Sequence, residues 1–134
     1  MIKFPPGVDI NNLIDQLKTF SWEASDILLK YAQIIKDSNN KSNILANENP
    51  EDPVTIADLK VNKKIIQNIN ANYKNINWEI LSEENVKINP TNKRINKDFI
   101  WVLDPLDGTK DFIQGTGKYS INLALTYKNK THLG

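Results

Sequence analysis

The stretch from Phe99 to Phe112, FIWVLDPLDGTKDF, constrains this chain more than any other. It opens with an apolar run, Phe99 to Leu103. A short apolar run rich in aromatic and branched residues, closed by a turn signal, reads as a buried strand. Pro105 fixes its own φ and biases Asp104 toward an extended backbone. The strand is therefore expected to stop at Asp104, with Asp104 and Asp107 thrown out at its carboxyl end. Asp107 and Thr109 stand where a short helix can begin, and Gly108 allows close backbone approach. Two carboxylates suit a hard divalent cation such as Mg2+, which keeps waters and shares phosphate oxygens. Free amides at a helix start attract phosphate. Taken alone, Asp-Pro-Leu-Asp-Gly is equally an acidic turn, because Asp, Pro and Gly are the usual turn residues.

The 134 residues amount to about one small domain. With 40% hydrophobic and 25% charged residues the chain can bury a core and is not a disordered segment. A net charge of +1 favours neither nucleic acid nor an acidic membrane as partner. The absence of cysteine excludes a disulfide, a thiolate metal site and a thiol nucleophile, and fits a reducing cytosol. Met1 to Gly7 is short and carries Pro5 and Pro6, so no signal peptide is read there. No apolar stretch reaches the ~20 residues needed to span a bilayer.

Met1 to Val8 reads as an irregular arm, with Asp9 or Asn11 as the first helix cap. Leu13, Leu17, Phe20, Ala24, Ile27, Leu28, Tyr31, Ile34 and Ile35 recur at spacings of three and four. They predict an amphipathic helix over 10–37 whose stripe packs in a core. Lys36 to Glu51 is polar, Asn-rich and aperiodic, the pattern of a surface loop. Thr55 and Asp58 form a near capping box for a helix over 56–71, with Ala57, Val61, Ile65 and Ile69 on one face. Trp78 to Leu81 predicts a short strand that delivers Ser82, Glu83 and Glu84 to its end. Adjacent Glu residues are also common as solvated surface acids. Val86 to Asp98 is expected to be a loop. Tyr119 to Tyr127 alternates apolar and polar residues, as a half-buried antiparallel strand does. Thr131 to Gly134 begins a partner strand, with His132 at the surface.

Three segments bear on chemistry, and they fall in one order: PVTIAD at 53–58, LSEE at 81–84 and DPLDGTKDF at 104–112. Together they resemble the inositol monophosphatase superfamily of Mg2+-dependent phosphatases. Leu106 to Phe112 is most similar to the bacterial 3'(2'),5'-bisphosphate nucleotidase branch. Inositol monophosphatases have Thr-Asn where this chain has Lys110-Asp111. Ser82 leans the same way, whereas Asp52 leans toward the inositol monophosphatases.

The resemblance implies an α+β fold, a layered sandwich of helices and sheets. Residues 1–134 would supply its amino-terminal helices and an antiparallel sheet, with the carboxyl-terminal domain and its last metal-binding Asp absent. It implies that Glu83, Asp104 and the Leu106 carbonyl hold one Mg2+ and that Asp104 and Asp107 hold a second. Asp52 and Thr109 would orient and deprotonate the attacking water. The substrate phosphate would lie against Glu83, Leu106, Asp107, Gly108 and Thr109, held by the Gly108 and Thr109 amides. The activity implied is removal of the 3'-phosphate of 3'-phosphoadenosine 5'-phosphate to give AMP, within cytoplasmic sulfur metabolism. The alternatives are an inositol-phosphate phosphatase and a non-catalytic remnant that serves only as a binding or structural chain. The expected partner is a small phosphate ester, with self-association through an unfinished sheet edge.

Overall fold

The structure is a computed structural model that describes residues 3–38, 41–88 and 96–134. Asp9 caps the first helix, its Oδ1 accepting the Asn12 amide at 2.7 Å. This helix, α1, spans Ile10–Asp37 and buries Leu13, Phe20, Ala24, Leu28 and Ile35. The predicted stripe thus becomes the core face, except that Ile34 falls at its margin and stays 40% exposed. Trp22 and Leu29 point outward.

The segment expected to be a structureless loop carries more order than its composition suggests. A single 3₁₀ turn over Lys41–Ile44 buries Ile44, and Leu45 pairs with Thr55. Asn47 clasps the remainder: its Nδ2 donates to the Asp52 carbonyl at 2.8 Å and its Oδ1 accepts the Val54 amide at 2.9 Å. One side chain thereby extends the short backbone pairing in which the Ala46 amide donates to the Val54 carbonyl at 2.7 Å.

The second helix, α2, spans Ile56–Asn72 and starts with the capping box. It buries Ala57, Val61, Ile65 and Ile69 and packs along α1. Strand β1 (Glu79–Ser82) follows, then helix α3 (Glu83–Ile88), strand β2 (Phe99–Asp107), helix α4 (Thr109–Gln114), and strands β3 (Ser120–Tyr127) and β4 (Lys130–Leu133). The strands lie in the order β1-β2-β3-β4. Phe99, Trp101 and Leu103 alternate into the core that α1 and α2 cover, while Val102 faces away. Trp78 stands edge-on to both Tyr73 and Trp101, at 5.4 and 5.5 Å between ring centres, and so links the end of α2 to the sheet.

Four expectations are corrected. The sheet is mixed, because β1 and β2 run parallel while the other pairs are antiparallel. Parallel neighbours need a crossover, and the segment between them starts with α3. That segment, expected as a loop from Val86, is helical through Ile88, and residues 89–95 of it lie outside the described residues. Strand β2 continues past Asp104 to Asp107. Asp104 pairs with Asn122 and Asp107 with Ser120, so β2 spends one more residue than β3 between these pairs. This is a bulge, a place where proline is tolerated because the extra residue makes no ladder bond. His132 is half-buried rather than a surface residue, and its ring meets Tyr127 edge-on at 5.4 Å. Among the described residues no helix is long and apolar enough to cross a membrane.

Candidate active site

The parallel register builds the site. Ser82 lies opposite Leu103, so Glu83 and Asp104, each the next residue along, leave the same end of the sheet side by side. Glu83 hydrogen-bonds Asp104, whose Oδ1 also accepts the Leu106 amide at 3.2 Å. Burial comes first in pushing the Asp104 carboxyl up to about 6; the Glu83 contact and charge and the Asp107 charge add to it, against the Leu106 amide. Asp107 leaves the far side of the bulge and accepts Asn122 Nδ2 at 3.2 Å. Gly108 follows at φ 84°, and a Cβ there would stand 2.6 Å from the Lys118 carbonyl. Only glycine fits this turn.

Thr109, the first residue of α4, turns its hydroxyl back beneath the bulge. It lies 3.1 Å from Asp58 Oδ1 and 3.1 Å from the Leu106 carbonyl, so one proton is shared between two acceptors. Asp58 is buried, and its Oδ2 accepts the Thr55 amide at 2.7 Å and the Thr55 hydroxyl at 2.5 Å. Burial raises the Asp58 carboxyl above its ordinary value, while the Thr55 and Thr109 hydrogen bonds work the other way. The expected pairing of Thr109 with Asp52 is not formed. Asp52 stands instead on Lys87, at 3.1 Å.

Lys87 gathers three acids. Besides Asp52, its Nζ lies 3.2 Å from Glu83 and 3.6 Å from Glu84. Burial works against this ammonium, but its bonds to Asp52 and Glu83 and the charges of Glu84 and Glu83 outweigh that and hold it protonated. Glu84 is the buried one of the pair. Desolvation raises it to about 7; Lys87 opposes the rise, and the Asp58 and Glu83 charges add to it. Below it, the Ser82 hydroxyl donates to Asn62 Oδ1, and Asn62 Nδ2 donates to Asn85 at 2.8 Å. That chain ties α2 to the end of β1 and the start of α3.

A match to the inositol monophosphatase family covers residues 9–134. The chain belongs to the inositol monophosphatase family. It is 40% identical over 78 residues to the 3'(2'),5'-bisphosphate nucleotidase CysQ of Haemophilus influenzae, which covers 58% of this chain and 28% of that protein. To inositol monophosphatase 1 of Bos taurus it is 29% identical over 104 residues, 76% of this chain and 36% of that protein. The chain thus spans less than half the length of either relative. The fold matches that of the extragenic suppressor protein SuhB from Bartonella henselae with a TM-score of 0.67 at 20% identity, covering 90% of this chain and 42% of that one. Phosphatase chemistry is the family's business, and members of it are metal-dependent.

The donor set of this family member suits such an ion. Glu83, Asp104, Asp107 and the Leu106 carbonyl are all oxygen donors at one sheet end, the preference of hard cations. Their crowded charge, which helps hold the Asp104 proton, is the field a divalent cation would relieve. Among the described residues no group of three acids is already drawn into metal-holding geometry.

Sequence reasoning placed the water-orienting role on Asp52 and gave Asp58 a cap. It gave Lys87 and Asn62 no role. One signal was present: Asp58 and Asn62 are a turn apart on α2, beside the stripe Ala57, Val61, Ile65. Polar residues one turn apart on the buried margin of a helix must have partners, and these point at the sheet end.

Proposed function

We propose that this chain supplies the metal-binding part of a Mg2+-dependent phosphatase that removes the 3'-phosphate of 3'-phosphoadenosine 5'-phosphate to give AMP. The observation that carries the reading is the juxtaposition of Glu83 with Asp104 at one sheet end, next to the Thr109–Asp58 pair. Glu83, Asp104 and the Leu106 carbonyl would hold one Mg2+, and Asp104 and Asp107 a second. Bound there, Mg2+ supplies charge neutralisation and lowers the pKa of a water. Thr109 would hold the attacking water and pass its own hydroxyl proton to Asp58 as it takes one from the water, since the Asp58 carboxyl sits on that hydroxyl and burial raises its affinity for a proton. Asp58 thereby takes the part that the sequence assigned to Asp52. The amides of Gly108 and Thr109 would hold the phosphate, in a turn whose glycine lets the Lys118 carbonyl pack against it. Asp52, paired with Lys87, takes no direct part in that proton transfer.

The LDGTKDF segment and the likeness to CysQ support the nucleotide over other phosphate esters. The likeness to the bovine inositol monophosphatase, over more of the chain, favours an inositol phosphate as the second reading. A cytoplasmic place and a part in sulfur metabolism belong to the nucleotide reading. Pairing of two copies along the outer edge of β4 also belongs to the proposal, since that edge has no strand partner among the described residues. Sedimentation that shows a monomer at every concentration would dismiss that part. Phosphate release from the bisphosphate nucleotide and from inositol 1-phosphate, each with and without Mg2+, tests the function. Faster Mg2+-dependent release from the nucleotide is expected. Release that ignores Mg2+, or none from either ester, would overturn the proposal.

A further inference from the structure

Lys87 lies where nothing in the proposed reaction requires a cation. Its ammonium is 3.2 Å from an oxygen of Glu83, and Glu83 in turn reaches Asp104. Its other two partners come from different places. Glu84 is its neighbour on α3, at 3.6 Å, and Asp52 comes from the clasped loop ahead of α2, at 3.1 Å. The side chain is 30% exposed, so these contacts are only partly screened by water.

We propose that Lys87 is a tethered counter-cation that holds Glu83 until a divalent ion takes its place, and so sets the affinity for that ion. The inference rests on the metal reading above. An ion entering on Glu83 and Asp104 meets a like charge bound to the first of its ligands. The ammonium must give up Glu83, but it is not stranded, because Asp52 and Glu84 remain. Asp52 is half-exposed and sits outside the Glu83–Asp104 pair, so it serves as the place to which Lys87 retires. Without an ion, the same ammonium balances acids that otherwise repel each other. Lys87 is thus a positioning residue and not a catalytic one.

The test is calorimetric titration of the chelator-treated 134-residue chain with Mg2+ alone. Lys87→Met removes the competitor and should lower the Mg2+ Kd about fivefold, the scale of one partly exposed ion pair. Lys87→Arg keeps the charge and should stay close to the parent. Asp52→Asn removes the retreat and should raise the Kd; because Asp52 is exposed, this variant also serves if Lys87→Met does not fold. In chelator, Lys87→Met should melt below the parent and gain more than the parent on Mg2+ saturation. A brace that merely holds the loop to α3 predicts weaker Mg2+ binding in Lys87→Met, and that result, or an unchanged Kd, overturns the inference while leaving the metal site standing. If the parent takes up no Mg2+, the metal reading itself fails and the role of Lys87 falls with it.

Discussion

At Thr109 a single hydroxyl faces two acceptors, Asp58 Oδ1 and the Leu106 carbonyl. Thr109→Val keeps the shape and removes the donor. Asp58, already buried, is left with one oxygen short of a partner. The expected loss is about 1–2 kcal/mol of stability, read by urea unfolding. Turnover should fall far more than substrate affinity, because in the proposed site the phosphate would be held by amides and metal. Lost affinity at unchanged turnover would make Thr109 a phosphate clamp. Gly108 carries a second residue-scale prediction. Its φ of 84° and the 2.6 Å gap to the Lys118 carbonyl leave no room for a methyl group. Gly108→Ala should be destabilising by roughly 1–3 kcal/mol, and an unchanged urea midpoint would show that the turn can relax. Gly108 was legible because a glycine between an acid and a helix start has few other reasons to be there. Asp58 was legible only as a cap. Its second oxygen answers to Thr109, 51 residues away, a pairing that spacing does not encode.

Among the elements, those with a period were the readable ones. Both long helices follow their apolar stripes, and β3 follows its alternation. Where the period is short, the neighbours decide. Helix α3 is six residues, too short to show a period. It is held by Glu83 and Glu84 at its positive end, by Lys87 in its last turn and by Asn85, which accepts Asn62 Nδ2 from α2. Pro105 signals an end to β2, yet the strand absorbs it as a bulge, and the bulge aims Asp107 and Gly108 apart from Asp104. The capping box of α2 offers the test at this scale. The Thr55 hydroxyl accepts the Asp58 amide and donates to the Asp58 carboxyl. Thr55→Ala should remove about 1–2 kcal/mol. Because Asp58 also loses its orienting partner, turnover should fall with stability. Thr55→Ser keeps both bonds and should restore both; a failure of Ser to do so would mean that the methyl group packing, and not the cap, matters.

At the scale of the molecule, the parallel β1–β2 pair concentrates acids at one end of the sheet. Neither strand announces its direction, so this was the part least open to sequence reasoning. The consequence is a conflict between charge and stability. Asp58, Glu84 and Asp104 all have raised pKa values, the last two to about 7 and about 6, each with burial as the leading cause. A carboxyl whose folded pKa lies above its unfolded value binds its proton more tightly in the fold. The stability this provides is present below the ordinary values of 3.8 and 4.5 and is lost as pH rises through the folded values, up to about 7. In chelator the urea midpoint should therefore fall from pH 4.5 to about 7 and then level off. Glu84→Gln holds a neutral side chain in the same space and should flatten the upper part of that fall. Mg2+ at the upper end of the window should recover the midpoint by binding the folded state, because the ion does for the carboxylates what protons do at lower pH. A midpoint that rises across the same window in chelator would mean that ion pairs such as those of Lys87 outweigh the crowding, and the acidic sheet end would then be stable without any cation.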